Sequence, residues 1–99
     1  MSLTERLREW RYRRACEADT TVLRALADGR LHYVHADLHT TTQLRYGRLY
    51  PALTRLVGRG LVEDEWDAEP SARRSYRLTD VGRAELSPRT DARTGRTLP

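Results

Sequence analysis

Apolar and polar residues alternate at helical spacing through most of this chain. The clearest case is Arg45–Leu61, where Leu49, Ala52, Leu53, Leu56 and Val57 fall on one helical face. Arg48 and Arg55, seven residues apart, fall together on what reads as the opposite face. Gly60 supplies the left-handed residue that closes such a helix. Pro51 fits a first turn if the helix starts near Gly47 or Arg48, and implies a kink if it starts at Arg45.

Upstream, residues 3–18 predict a helix with a sparse stripe of Leu3, Leu7 and Trp10. Asp19 or Thr20 is placed to cap a fresh start, although no Gly or Pro forces a break before Asp28. Residues 20–28 predict a short apolar helix carrying Val22, Leu23, Ala25 and Leu26, stopped at Asp28-Gly29. Arg30–Val34 reads as a brief extended piece, and Ala36–Thr42 as another short helix with Leu38 inward.

Downstream, Leu61–Trp66 and Arg74–Leu78 predict antiparallel strands joined by a loop holding Asp67, Pro70 and Ser71. One register pairs Val62 with Leu78, Glu63 with Arg77, Asp64 with Tyr76, Glu65 with Ser75 and Trp66 with Arg74. A last short helix starts at Thr79 or Asp80 and closes at Pro88. The expected organisation is an N-terminal helix over 1–19, one compact unit over 20–86 and a flexible tail over 87–99. Two short helices, a basic helix and a two-stranded wing define an α+β, mainly helical fold. It is a winged helix-turn-helix with an extra N-terminal helix.

Composition narrows the function. Ninety-nine residues make one domain with a modest core, too small for a cleft between two lobes. Cys16 is the single cysteine, so no intrachain disulfide is expected. No apolar run approaches a membrane span, and a cytoplasmic address is expected. The net charge is +4, and none of the 18 basic residues is lysine. Residues 45–60 carry four arginines and no acid, whereas residues 63–69 carry five acids and no base. Arginine makes bidentate contacts to phosphate and guanine, so the basic helix points to double-stranded DNA.

The residues also resemble a known family. Gly47-x-Leu49-Tyr50-Pro51-Ala52-Leu53-x-x-Leu56, followed by Gly60-Leu61-Val62, resembles the recognition-helix signature of PadR-family transcriptional regulators. Tyr76-Arg77-Leu78-Thr79-x-x-Gly82-x-x-x-Leu86 resembles that family's second wing strand and following helix. The resemblance implies a sequence-specific regulator, expected here to be a repressor. This chain departs from the pattern in having Arg45 and Arg48 where the family often has Ser and Thr. It also reads Leu31-His32-Tyr33-Val34 without the family's usual glycine. The chain ends soon after Leu86, so the usual long C-terminal dimerisation helix is not expected.

On this reading Arg48 and Arg55 enter the major groove and Arg45, Tyr46 and Tyr50 flank them. Thr54 reaches a base or phosphate, and Arg73 and Arg74 on the wing meet phosphates or the minor groove. A homodimer is expected, with Leu3, Leu7 and Trp10 as its interface. The alternative is a winged-helix protein-interaction adaptor without specific DNA binding, presenting the acidic strand to a basic partner. No constellation of nucleophile, base and oxyanion donors suggests an enzyme, and no cofactor is expected. His32, His35 and His39 read as ordinary polar histidines rather than metal ligands, and Cys16 as a partly buried small side chain.

Overall fold

The computed structural model describes residues 2–67 and 73–94. Helix α1 spans Leu3–Ala25 and strand β1 is His32–Tyr33. A π-helical turn, Val34–Leu38, leads straight into the short helix α2, His39–Thr42. Helix α3 spans Tyr46–Gly58, strands β2 and β3 are Val62–Trp66 and Arg74–Leu78, and helix α4 spans Asp80–Thr94. Pro70 and Ser71 of the expected wing loop lie outside the described residues.

Helix α1 begins with a capping box. The Ser2 hydroxyl accepts from Glu5 N–H at 3.1 Å, and Ser2 N–H donates to the Glu5 carboxylate at 3.0 Å. These bonds hold the Glu5 carboxyl below its ordinary range. Of the two readings left open at residues 19–20, a run-on helix and a fresh start capped by Asp19 or Thr20, the structure has the run-on helix. The Asp19 carboxylate is taken by Arg55 rather than by the α1 backbone, and Ala18 and Val22 are buried one turn apart on an unbroken helix. The helix ends at Leu26, and Gly29 turns the chain with φ of 77°. Asp28 then accepts from Arg30 N–H at 2.9 Å and meets the His32 imidazole at 2.9 Å. The His32 bond, followed by the Arg30 bond, lowers the Asp28 carboxyl below its ordinary value.

The hairpin forms in the register read from the sequence, from Val62–Leu78 through to Trp66–Arg74. The sheet nevertheless has three strands, in the order β1–β3–β2, rather than the two of the expected wing. His32 pairs with Tyr76 and Tyr33 with Ser75, covering the edge of β3 that a bare hairpin would expose. Helix α4 also differs from expectation. It continues through Pro88 to Thr94, where the sequence predicts a stop and a flexible tail. A proline removes its own N–H bond but leaves the residues after it free to stay helical.

The core lies where α1, α2, α3 and the sheet meet. Val22, Leu23, Leu26, Leu38, Leu49, Leu53, Leu56 and Val62 are its largest fully buried hydrophobic side chains, with Val34, Leu61, Tyr76 and Leu78 around them. Thr79 caps α4 by accepting from Gly82 N–H at 3.0 Å, while its own N–H donates to the Leu61 carbonyl at 3.0 Å. Gly82 therefore sits against backbone. A Cβ there would collide with the Leu61 carbonyl oxygen and come within 2.8 Å of Leu78 Cδ1.

Two substitutions test this packing by urea unfolding. Leu56→Ala should cost about 2–5 kcal/mol for the lost burial and the cavity left behind. Gly82→Ala should cost about 1–3 kcal/mol through overpacking, although alanine is the better helix former. An unchanged unfolding midpoint for Gly82→Ala would show that α4 does not dock this closely.

Candidate nucleic-acid interface

Helix α3 carries the candidate site, and its buried stripe fixes what it presents. Leu49, Ala52, Leu53 and Leu56 are buried, so the side facing away from the core is a line of Gly47, Pro51, Thr54 and Gly58, all exposed. Arg45 is the N-cap residue, and its carbonyl accepts from Arg48 N–H at 2.9 Å and Leu49 N–H at 2.8 Å. Pro51 lies within the helix, which starts earlier than a first-turn proline requires. It removes the N–H that would bond the Gly47 carbonyl, and it does so on the exposed side of the helix, where solvent can reach that oxygen.

Arg48 and Arg55 do not lie opposite the core. They occupy the flank of α3 that rests on α1, roughly a quarter turn from the buried stripe at 100° per residue. Arg55 donates to both oxygens of Asp19, with Nη2 at 2.7 Å and Nε at 3.1 Å from Oδ1. Asp19 is only 13 % exposed, so this pair ties α3 to α1 in a partly dry setting. Arg48 donates through Nη2 to the Arg14 carbonyl at 2.8 Å. Seven-residue spacing correctly places the two arginines together. It does not say that a second helix stands beside them.

The other flank of α3 is aromatic. Tyr46 stacks on His39 with ring centres 4.4 Å apart and meets His35 edge-on at 5.0 Å. The His35 Nδ1 lies 2.8 Å from the Tyr46 hydroxyl. His39 Nδ1 faces the Leu44 carbonyl at 2.9 Å, and since a carbonyl only accepts, that nitrogen carries the proton. Tyr50 follows one turn on, 6.0 Å from Tyr46 and 40 % exposed, so it is not a core residue. The three histidines thus serve three different partners, counting His32 on Asp28.

A groove of about 510 Å³ separates this aromatic flank from the wing. Its wing wall holds two arginines stacked on rings. Arg73 lies 4.5 Å over Tyr33, and Arg74 lies 4.7 Å over Trp66. Each also has a carboxylate, Asp67 at 3.9 Å from Arg73 and Asp64 at 3.2 Å from Arg74. Arg77 pairs with Glu63 at 2.8 Å further along the hairpin. Asp67, Asp64 and Glu63 are thus each met by an arginine of the hairpin, while Glu65 faces Ser75. Tyr33 donates its hydroxyl to both oxygens of Asp67, at 2.9 and 3.0 Å. That bond first, then burial and the negative charge, raises the phenol above its ordinary value.

The structure brings Tyr46, Tyr50, Thr54, Arg73 and Arg74 together around α3 and the wing, leaves Arg45 at the α3 N-cap, and turns Arg48 and Arg55 toward α1. Leu3, Leu7 and Trp10 are 68 %, 46 % and 49 % exposed on the part of α1 that extends past the core. Cys16 is exposed rather than partly buried. The sequence reading missed Asp19, His35, His39 and Tyr33 as supports of the site, because their partners are distant in the chain. Gly47 and Pro51 lie four residues apart in the sequence, but only the burial of Leu49, Ala52, Leu53 and Leu56 shows that they face outward.

A three-helix unit with a basic helix, followed by a β-wing, is the winged helix-turn-helix fold of DNA-reading regulators. The family model described as the transcriptional regulator PadR-like family matches residues 31–88, and the chain belongs to that family. A PadR family transcription regulator from Clostridium difficile R20291 has the same fold, with a TM-score of 0.66 at 21% identity over 82% of this chain and 92% of that one. Bordetella bronchiseptica BpsR, whose DNA binding is regulated by 6-hydroxynicotinic acid, gives 0.70 at 20% identity over 97% and 76%. A transcriptional regulator from Clostridium thermocellum gives 0.59 at 21% identity over 82% and 92%. None of the curated proteins compared matches the chain. Among the described residues no helix is long and apolar enough to cross a membrane.

Two measurements check the supports of the site. Asp19→Ala should cost about 1–3 kcal/mol, between the values of exposed and buried pairs, because it leaves Arg55 unpaired against α1. The Tyr33 phenol is stabilised in its neutral form, so its contribution to stability is complete below pH ~10 and is lost as pH rises through the raised value. Ultraviolet titration should therefore show late phenols, since the Cys16 bond also raises Tyr12, and the Tyr33 phenol alone should move down in Asp67→Ala.

Proposed function

We propose that this PadR-like chain is a sequence-specific DNA-binding repressor that acts in the cytoplasm as a homodimer, with no catalytic role. The observation that carries the proposal is the outer face of α3. Gly47, Pro51 and Thr54 present almost bare backbone between two polar flanks, so the helix can enter a major groove deeply. Tyr46 and Tyr50 on the wing side and Arg48 on the α1 side then reach the groove edges, with Thr54 at its floor and Arg45 at the helix start. Arg55 acts mainly by holding α3 to α1 through Asp19, keeping the helix at a fixed angle. Arg73 and Arg74 meet the backbone of the strand beside the wing, exchanging Asp67 and Asp64 for phosphate.

The dimer is proposed to form through Leu3, Leu7 and Trp10. These side chains continue the α1 face that carries Ala18 and Val22 into the core, yet they extend past it. A helix end of this kind gains little from its own chain, and a second copy would bury the stripe. Two half-sites give the specificity that one small module lacks.

Selection from a random duplex library tests the proposal. Wild type should enrich a two-fold symmetric site with half-sites about one helical turn apart. Enrichment of nothing, or of an asymmetric site by a monomer, would refute it. Gly47→Ala separates binding from folding. It should stabilise the helix by about 0.5–1 kcal/mol, since a Cβ there meets no atom within 4 Å, and should still weaken operator binding by crowding the groove. Thermal unfolding and fluorescence anisotropy read the two effects independently.

A further inference from the structure

The charge balance of the arginines is uneven. Arg55, Arg59, Arg73, Arg74, Arg77 and Arg83 each have a carboxylate within ion-pair distance. Among the described residues Arg11, Arg14 and Arg48 have none. These three line one cleft of about 180 Å³ between α1 and α3, with Trp10 at its side and Gly47 and Pro51 as part of its α3 wall. Arg45, the N-cap of α3, has no carboxylate at ion-pair distance among the described residues either; beside it, the uncompensated positive charge bordering the outer face of α3 is on the α1 side, not on the wing.

We infer that this cleft seats the backbone phosphates of the DNA strand that borders the major groove on the side away from the wing. The inference rests on the DNA-binding reading above and adds a second wall to it. Arg11 and Arg14 are three residues apart on α1 and so share a face. The Arg14 guanidinium is steadied 4.9 Å from the centre of the Trp10 ring. The Arg48 fork is oriented by its bond to the Arg14 carbonyl at 2.8 Å, which uses one of its five N–H donors and leaves the others for an anion. Two of the three guanidinium groups are thus held before any ligand arrives, which lowers the ordering cost of binding. Gly47 and Pro51 belong both to the cleft wall and to the outermost line of α3. A strand lying along that line passes the mouth of the cleft, and the small residues let it come close.

Phosphate contact at this cleft and phosphate contact at the wing predict different salt dependence. The wing arginines must give up Asp64 and Asp67, whereas Arg11 and Arg14 exchange only counterions. Contacts to phosphate carry no sequence information, so the cleft should add affinity equally to operator and unrelated duplex.

The test uses the full chain and a labelled duplex taken from the library selection, with anisotropy measured from 50 to 200 mM salt. Arg11→Ala/Arg14→Ala is compared with wild type and with Arg73→Ala/Arg74→Ala. Both substituted α1 positions are exposed and alanine favours helix, so folding is retained. For two lost phosphates the slope of log affinity against log salt should become shallower by about 1.8, so that wild type loses about tenfold more affinity than the variant across this range. The operator and a scrambled duplex should weaken by the same factor. A wild-type slope in the α1 variant, with the slope lost only in the wing variant, would overturn the cleft and leave the DNA reading standing. An altered oligomeric state with an unchanged slope would assign the cleft to a partner chain and overturn it as well. If wild type binds no duplex at all, the DNA reading fails and the cleft assignment falls with it.

Discussion

Burial of Leu49, Ala52, Leu53 and Leu56 along one side of α3 is the constraint on which the rest of the structure depends. Four core residues at helical spacing leave α3 no freedom to rotate, since any turn of the helix would expose leucine and bury polar groups. Fixing the rotation fixes three further surfaces. The line opposite the core becomes Gly47, Pro51 and Thr54. One flank must hold Tyr46 and Tyr50 against the π-helical turn and the wing, and the other must hold Arg48 and Arg55 against α1. The bidentate Arg55–Asp19 pair and the stacked Tyr46–His39 pair then brace the helix from its two sides. They are secondary to the core, because a polar brace acts only on an element that packing has already placed.

The same constraint explains which parts of the molecule were legible in the sequence. The α3 stripe, the β2–β3 register and the Thr79 cap each depend on neighbours close in the chain or on one period of repetition. The continuous α1 was less legible, because Asp19 looks like a cap until Arg55, far along the chain, claims its carboxylate. The third strand was missed because two residues, His32 and Tyr33, carry no period at all and pair only because β3 offers an open edge. The end of α4 is not legible because Pro88 looks like a stop, although it costs the helix only a single backbone bond. The flank assignment of Arg48 and Arg55 failed for a geometric reason. Periodicity shows that two residues share a line along the helix, but the position of that line relative to other elements needs the packing.

Electrostatics divides the surface in a way that net charge conceals. The wing holds three arginines and balances each with an acid on the same hairpin, so its basic strand is a set of pairs rather than a field. Ring stacking under Arg73 and Arg74 keeps those side chains extended even while paired. Where α1 crosses α3, by contrast, Arg11, Arg14 and Arg48 line one cleft without an ion pair among the described residues. A PadR-like fold of this kind joins a bare helix face, an aromatic flank and an arginine-lined cleft within one turn of each other. Each follows from the rotation of α3.

The account's central claim is that α3 meets DNA through the line opposite its buried stripe. Amide chemical-shift mapping by NMR, with the isotope-labelled chain titrated by its selected duplex, tests that claim most directly. The largest shifts should fall on Gly47, Tyr50 and Thr54, with the α3 N-terminus close behind and the buried Leu53 and Leu56 little changed. Shifts confined to the exposed face of β2, around Glu63 and Glu65, with the outer line of α3 silent, would contradict it.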